Sequence, residues 1–208
     1  MLTELGLSGI LIFLLMLIIS LSFHEAMHAF ASHWLGDTTA KDLGRLTLNP
    51  LKHVDPFTTI ILPLVLLLLG MPPFLIAKPV PFNPYRVKYG DYGAALVGLA
   101  GPLSNFLLAI VGVSIIRLSG VAVGTTIYQF CSMFIQLNIA VFVFNMIPFP
   151  PLDGSRILYA FAPDPLRKVM QQIESFGLIG IFIFMFVLFP LLVPVVNYLN
   201  NFFFQVLL

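Results

Sequence analysis

Between Leu5 and Phe23 the sequence is apolar throughout and carries no charged side chain. A helix over this stretch is nearly long enough to cross the hydrocarbon core of a bilayer, which is about 30 Å thick. The whole chain has the same character, because 59% of its 208 residues are hydrophobic and only 9% are charged. Soluble domains carry about 25% charged residues. We therefore predict an all-α polytopic membrane protein, since helices satisfy their own backbone hydrogen bonds in lipid.

The formal net charge of +1 offers no basic surface, so we predict no nucleic-acid partner. The single cysteine, Cys131, excludes a disulfide framework within the chain and is expected to be a small packing residue. Glu4 stands where a signal peptide would carry basic residues. We therefore expect the first apolar helix to be retained in the working protein.

Proline, glycine and polar residues divide the apolar sequence into helices. Their expected bounds are Leu5 to Leu35, Tyr92 to Leu118, Thr126 to Ile147, Ser155 to Phe161 and Phe176 to Phe189. A polar link with Arg167 and Lys168 is expected before the last of these. The tail from Pro190 to Leu208 could form a final span or lie at the membrane interface, because Pro194 interrupts it. Residues 43 to 48 alternate in polarity and permit a short strand or β-hairpin.

A shorter apolar run follows Asp55-Pro56, a pair typical of a helix start. The run from Phe57 to Leu69 gives about 14 residues, or about 21 Å of helix, which is too short to cross the bilayer comfortably. We therefore predict a re-entrant element that enters the membrane as a half-helix and returns as an extended segment ending at Lys78.

The distribution of basic residues supports this topology. If the segment re-enters, only Arg117 lies on one side of the membrane, and every other lysine and arginine lies on the other side. The positive-inside rule then makes the second side cytoplasmic, whereas a single crossing would divide the basic residues between both sides. The re-entrant topology also puts the end of the first helix and the end of the helix from Thr126 on the cytoplasmic side.

A potential metal-binding motif, His24-Glu25-Ala26-Met27-His28, ends the first apolar stretch. On a helix, His24 and His28 lie one turn apart on the same face, which is the spacing that two imidazoles need to share a zinc ion. Glu25 is placed to take a proton from water at that metal. Ionisable residues in a membrane helix are costly, so we expect a functional role for them.

A catalytic zinc site needs a third protein ligand and an open position. The longer His-Glu-x-x-His-x-x-Gly-x-x-His pattern is absent, because Ala31 and Trp34 stand at its glycine and third histidine. Among the few acidic residues, Asp153 follows an apolar span and a proline run and precedes Gly154. Its expected depth in the membrane matches that of His24, which makes it the best candidate for the third ligand.

The segment from Asn145 to Gly154 resembles the Asn-x-x-Pro-x-x-x-x-Asp-Gly motif of the site-2 protease family, which consists of intramembrane zinc metalloproteases. The other mark of that family is His-Glu-x-x-His in a membrane helix, and both motifs occur here in the family's order. Residues 44–56, 78–84 and 100–105 resemble further segments of the family, the first two of its compact prokaryotic branch. The resemblance covers residues 5 to 161.

The resemblance implies one Zn²⁺ per chain, held by His24, His28 and Asp153, with Glu25 as the catalytic acid and base. It implies hydrolysis of peptide bonds within or near transmembrane segments of membrane-protein substrates, known as regulated intramembrane proteolysis. It places the protein in the inner or plasma membrane of a prokaryotic cell. We expect residues 1–162 to form the metalloprotease core and residues 163–208 to form C-terminal membrane helices.

Two asparagines are candidates for substrate binding. Asn145 and Asn105 could hold the substrate backbone or the oxyanion, and the alternative for each is a hydrogen bond between helices. A helical substrate must unwind, and it could then pair as a strand with an edge near Leu43 to Leu48 or Val80 to Asn83.

Two other functions fit part of the pattern. A non-catalytic zinc-binding membrane protein or a metal transporter would use the two histidines and Asp153, but would leave Glu25 without a role. A transporter should also show repeated halves, which this sequence lacks. A pseudoenzyme that binds membrane helices as a scaffold is disfavoured because Glu25 is present.

Overall fold

The computed structural model describes residues 6–61, 65 and 78–207. They fall into two compact units, of which the first ends at Lys88 and the second begins at Tyr89. All regular secondary structure in the described ranges is helical, which confirms the predicted all-α class.

The short strand or hairpin predicted for residues 43 to 48 is wrong. Leu43 and Gly44 form a turn, with their N–H groups bonded back to the carbonyls of Thr39 and Lys41 at 3.2 and 2.9 Å. Gly44 has a φ of +66°, which an extended strand does not allow. Local hydrogen bonds therefore use the backbone groups that a strand ladder would need.

The first unit is built on one long helix. Its helical segments are α1 at Gly6–Trp34, α2 at Thr39–Asp42, a 3₁₀ turn at Pro50–Lys52 and a π-helical segment at Pro56–Ile61. Helix α1 ends as the sequence predicts, because Gly36 has a φ of +104° and the backbone N–H of Asp37 donates to the carbonyl of Ser32 at 2.9 Å. A second bond from Gly36 to His33 at 3.0 Å completes a Schellman motif.

The predicted helix start at Asp55 is confirmed, although the helix that follows is π-helical. The Asp55 carboxylate accepts a hydrogen bond from the Phe57 N–H at 2.9 Å, as a capping residue does. His53 is almost fully buried, and its Nε2 lies 2.8 Å from the Thr47 carbonyl oxygen, so it packs within the loop. Most of the expected re-entrant element, at residues 62–64 and 66–77, lies outside the described residues and stays a prediction.

The second unit contains the remaining helices. They are α3 at Gly90–Ser119, α4 at Thr126–Asn145, α5 at Gly154–Phe161, α6 at Asp164–Ser175, α7 at Leu178–Ile183 and α8 at Phe189–Leu207, with a π-helical segment at Phe184–Leu188 joining the last two. Thr125 caps α4 by accepting from the Tyr128 N–H at 3.2 Å. Side chains of α3, α4 and α8 form the apolar core, namely Ala109, Val113, Ile116, Ile135, Ile139, Val143 and Val196.

Two expectations for the C-terminal part of the chain need correction. The polar link around Arg167 and Lys168 is helix α6, in which Leu166, Met170 and Ile173 recur at helical spacing. The polar composition of this segment concealed an amphipathic helix. The helix expected to stop at Phe189 continues to Leu207, because a proline is tolerated in an apolar membrane helix.

Within the described ranges, four helices are long and apolar enough to cross a membrane: Leu11–Trp34, Gly90–Ser119, Thr126–Asn145 and Ile179–Leu207. The tail from Pro190 therefore belongs to the fourth of these helices. The protein is an all-α polytopic membrane protein, and the histidine motif lies inside its first candidate span.

Candidate metal centre

Helix α1 brings its two motif histidines together. The Nε2 atoms of His24 and His28 lie 3.1 Å apart, and the two rings are nearly perpendicular at 83°. Both side chains are buried. In a tetrahedral zinc site with Zn–N bonds of 2.0–2.1 Å, two ligand nitrogens are separated by about 3.3 Å. The observed pair therefore fits two ligands of one zinc ion, and the helical spacing predicted from the sequence is the reason.

Glu25 lies on the neighbouring ridge of the same helix and is half-buried. Its Oε2 accepts a hydrogen bond from the backbone N–H of Val80 at 2.8 Å. This contact joins residues that are 55 positions apart in the sequence. A carboxylate held beside two imidazole ligands can accept a proton from water and donate it again, which is the role that the sequence motif predicts.

Asp153 belongs to the second unit, where it sits between α4 and α5. It is the N-cap residue of α5, yet its side chain makes no capping hydrogen bond with that helix. The chain between the two helices is folded by local turns, including bonds from Phe149 to Ile147 at 2.8 Å and from Leu152 to Phe149 at 2.9 Å. Coordination of one zinc ion by Asp153 together with the two histidines stays a prediction.

Gly154 sets the position of Asp153. A Cβ atom at residue 154 would overlap the carbonyl oxygen of Met146, and it would lie 2.6 Å from the Met146 carbonyl carbon and 2.7 Å from the Ile147 carbonyl oxygen. The backbone at the start of α5 thus comes against the backbone at the end of α4. Only glycine permits this approach, which explains the Asp-Gly pair of the sequence motif.

The two candidate substrate-binding asparagines have defined partners. Asn105 is fully buried in α3 and its Nδ2 donates to the Oδ1 of Asn138 in α4 at 2.9 Å. The Nδ2 of Asn138 donates in turn to the Phe134 carbonyl at 2.9 Å. Asn145 is half-buried, and its Nδ2 donates to the Val141 carbonyl one turn back at 3.0 Å. The Asn105–Asn138 bond joins α3 to α4, and the other two bonds stay within α4. A role of Asn145 or Asn105 in substrate binding stays a prediction.

Two residues beside Glu25 were not singled out from the sequence. Val80 is an ordinary apolar residue between two prolines, and nothing in its type marks the N–H that contacts Glu25. Arg45 entered the sequence argument only as a positive charge. Its side chain is 6% exposed in a loop, and its Nη2 donates to the Lys78 carbonyl at 2.6 Å. The sequence does contain a signal for Arg45, because an arginine among alternating leucines is costly to bury without a hydrogen-bond partner.

Comparison with known proteins points to the same chemistry. The chain is 43% identical over 178 residues to "Putative zinc metalloprotease YwhC" of Bacillus subtilis, which covers 82% of this chain and 78% of that protein. It is 27% identical over 183 residues to "Putative zinc metalloprotease Rip2" of Mycolicibacterium smegmatis and of Mycobacterium tuberculosis, which covers 86% of this chain and 66% of each relative.

No family model matches the chain, and no solved structure matches it. The names of these relatives agree with the paired imidazoles of α1 and with the carboxylate beside them. At 43% identity over most of both sequences, the chain belongs to the zinc metalloprotease family that includes YwhC.

Proposed function

We propose that the protein is an intramembrane zinc metalloprotease of the site-2 type. It hydrolyses peptide bonds within or near the transmembrane segments of membrane-protein substrates. The observation that carries this proposal is the position of the histidine pair, because His24 and His28 lie within the candidate membrane span Leu11–Trp34. A soluble metalloprotease has no reason to place a metal site on a helix of this length and hydropathy.

One zinc ion per chain is proposed, with His24, His28 and Asp153 as its ligands. When bound, zinc would supply Lewis-acid polarisation of water and of the scissile carbonyl. Glu25 takes the proton of the attacking water and returns it to the leaving amine. Asn145 is the better of the two candidates for holding the substrate, because it is half-buried, whereas Asn105 is fully buried and donates to Asn138 inside the second unit.

The setting of the reaction is also a proposal. The basic residues favour a site that faces the cytoplasm, and bacterial relatives favour a prokaryotic plasma membrane. The partners are then a single-span or multi-span substrate protein and the lipid bilayer.

Glu25→Gln tests the function directly. The variant keeps the shape of the side chain but cannot act as a base, so we expect cleavage of model transmembrane peptides in vesicles to fall by about 10² to 10⁴-fold. The zinc content is expected to stay at the wild-type level, because Glu25 is not a ligand. The measurements are turnover, with and without a chelator, and metal content of the purified protein.

Glu174→Gln is the matched control. Glu174 is exposed in α6, where its carboxylate pairs with Arg156. An exposed pair of this kind contributes about 0–1 kcal/mol, so this variant should cleave as the wild type does. Turnover near the wild-type level in Glu25→Gln would reject Glu25 as the catalytic base. Zinc binding without cleavage of any transmembrane peptide by the wild type would favour the non-catalytic zinc-binding alternative.

A further inference from the structure

A proline-rich segment passes beside Glu25 in the first unit. This segment, residues 78–84, is called the strap. Its residues 78–83 have no regular secondary structure. The backbone N–H of Lys78 donates to the His53 carbonyl at 3.0 Å, and the N–H of Asn83 donates to Oδ2 of Asp37 at 2.7 Å. The strap is therefore fastened near both of its ends to other parts of the same unit.

The centre of the strap contacts the catalytic carboxylate. Val80 lies between Pro79 and Pro81, which have no N–H, so it provides the single backbone donor of this tripeptide. That donor is bonded to Oε2 of Glu25 at 2.8 Å. A hydrogen bond from a fixed backbone group restrains the rotation of the carboxylate more firmly than a mobile side chain could.

Arg45 donates to the carbonyl of the preceding peptide and contacts the other edge of the Pro79–Val80 peptide. Its Nη2 donates to the Lys78 carbonyl at 2.6 Å and lies 3.5 Å from the carbonyl oxygen of Pro79. Because the carbonyl of Pro79 and the N–H of Val80 belong to one planar peptide group, Arg45 and Glu25 lie against opposite edges of it. A buried arginine is costly unless it is hydrogen-bonded, and here the strap supplies acceptors for its Nη2.

The charges of Arg45 and Glu25 also act on each other. Burial lowers the pKa of Arg45 below its usual range, and the negative charge of Glu25 opposes that shift. Arg45 remains protonated, since an arginine pKa lies far above neutrality.

We propose that Arg45 is a positioning residue for catalysis, which fixes Glu25 through the Pro79–Val80 peptide. The inference rests on the proposed proteolytic function. Val80 contacts the Glu25 carboxylate through its backbone N–H, and Arg45 acts through the strap backbone. Their role is to hold the carboxylate in the orientation that receives the proton. A misplacement of about 1 Å in such a group can cost about 10²-fold in rate.

Two pairs of variants separate positioning from a plain structural role. In Arg45→Gln we expect kcat to fall by about 10- to 100-fold with an unchanged KM and zinc content, and in Arg45→Lys we expect partial recovery because a donor with its charge remains. In Val80→Pro the N–H is removed, whereas Val80→Ala keeps it. We expect kcat of Val80→Pro to be at least about tenfold below that of Val80→Ala. Arg117 is an exposed arginine of the second unit, so Arg117→Gln is the neutral control.

A spectroscopic readout keeps this test independent of proteolysis. In protein labelled with ¹⁵N-valine, the Val80 amide proton is assigned by its absence in Val80→Ala, and a bond to a carboxylate should shift it downfield. Arg45→Gln and Glu25→Gln should both move it upfield. If this response occurs but no peptide is cleaved, the proposed function fails while the contact stands.

The proposal is overturned if Arg45→Gln retains wild-type kcat and a wild-type Val80 resonance. It is also overturned if the loss appears in zinc content or KM and not in kcat. If Arg45→Gln does not fold, the Val80 pair decides, and equal kcat values in Val80→Pro and Val80→Ala reject the proposal.

Discussion

The close approach of Gly154 to the end of α4 predicts a severe effect of Gly154→Ala. The new Cβ would overlap backbone atoms of Met146 and Ile147, with separations of 2.6 and 2.7 Å to two of them. Ordinary contacts of a Cβ begin near 3.4 Å, and backbone atoms cannot rotate away. The chain on one side of the contact must therefore shift by several tenths of an ångström or more, and Asp153 must shift with it.

The cost can be estimated. Overpacking of a close-packed site costs about 1–3 kcal/mol, and the contact here is with backbone, so we expect the upper part of that range. Alanine has a helix propensity better than that of glycine by about 1 kcal/mol, which offsets only part of this cost. For a chain of this size, a net loss of about 2 kcal/mol lowers Tm by about 4–8 °C. Asp153 is a proposed zinc ligand, and metal ligands tolerate displacements of only about 0.2 Å, so zinc affinity should fall as well.

The assay is a thermal melt of the detergent-purified protein together with its zinc content. Gly180→Ala in α7 is the milder control, because its Cβ would meet the Ile173 carbonyl oxygen at 3.2 Å, which is tight but without overlap, so its cost should be clearly smaller than that of Gly154→Ala. A Gly154→Ala variant with wild-type Tm and wild-type zinc content would refute the reasoning, since the chain would then accommodate the Cβ without moving Asp153.

Two further predictions concern acidic residues. Asp153→Ala should lose most of the bound zinc and most of the activity because it removes a proposed ligand, whereas Asp164→Ala should lose neither. Zinc affinity is measured by competition with a chelator. Wild-type affinity in the Asp153 variant would show that the third ligand lies elsewhere. Burial raises the pKa of Asp37. The opposing effects are together larger: hydrogen bonds from the Thr39 hydroxyl and from the backbone N–H groups of Asn83 and Thr39, and the positive charge of Arg86, lower the pKa below the usual 3.8. The stabilisation that this carboxylate provides is therefore complete above about pH 4 and is lost as the pH falls through the lowered pKa. Asp37→Asn should cost about 1–3 kcal/mol at neutral pH, and its Tm deficit should shrink on acidification below pH 4; a deficit that does not change with pH would contradict this account.

Local signals explain what the sequence predicts well. The end of α1 is encoded by Gly36, the start of the helix after Asp55 by a capping carboxylate, and the pairing of His24 with His28 by their spacing alone. Each of these features depends on residues within one or two turns of the chain. The sequence of one chain contains that local information.

The errors and omissions have a different origin. Helix α6 was missed because its apolar residues are spaced for one face while its average composition is polar. The contacts from Arg45 to Lys78 and from Val80 to Glu25 join positions 33 and 55 residues apart. Such contacts depend on how loops fold back over a helix, and no local pattern of residue types records that.

The bonding of the strap limits how it can meet another polypeptide. An edge that accepts an added strand must offer both N–H and C=O groups along one side. Here the N–H groups of Val80 and Asn83 are given to carboxylates, and the three prolines of the strap have none. The proline-rich strap thus offers few N–H groups to an added strand, which disfavours the substrate pairing that the sequence suggests for Val80 to Asn83. Any chain that aligns with it must bring most of the donors itself, which protects the strap from pairing with a second copy of its own sequence.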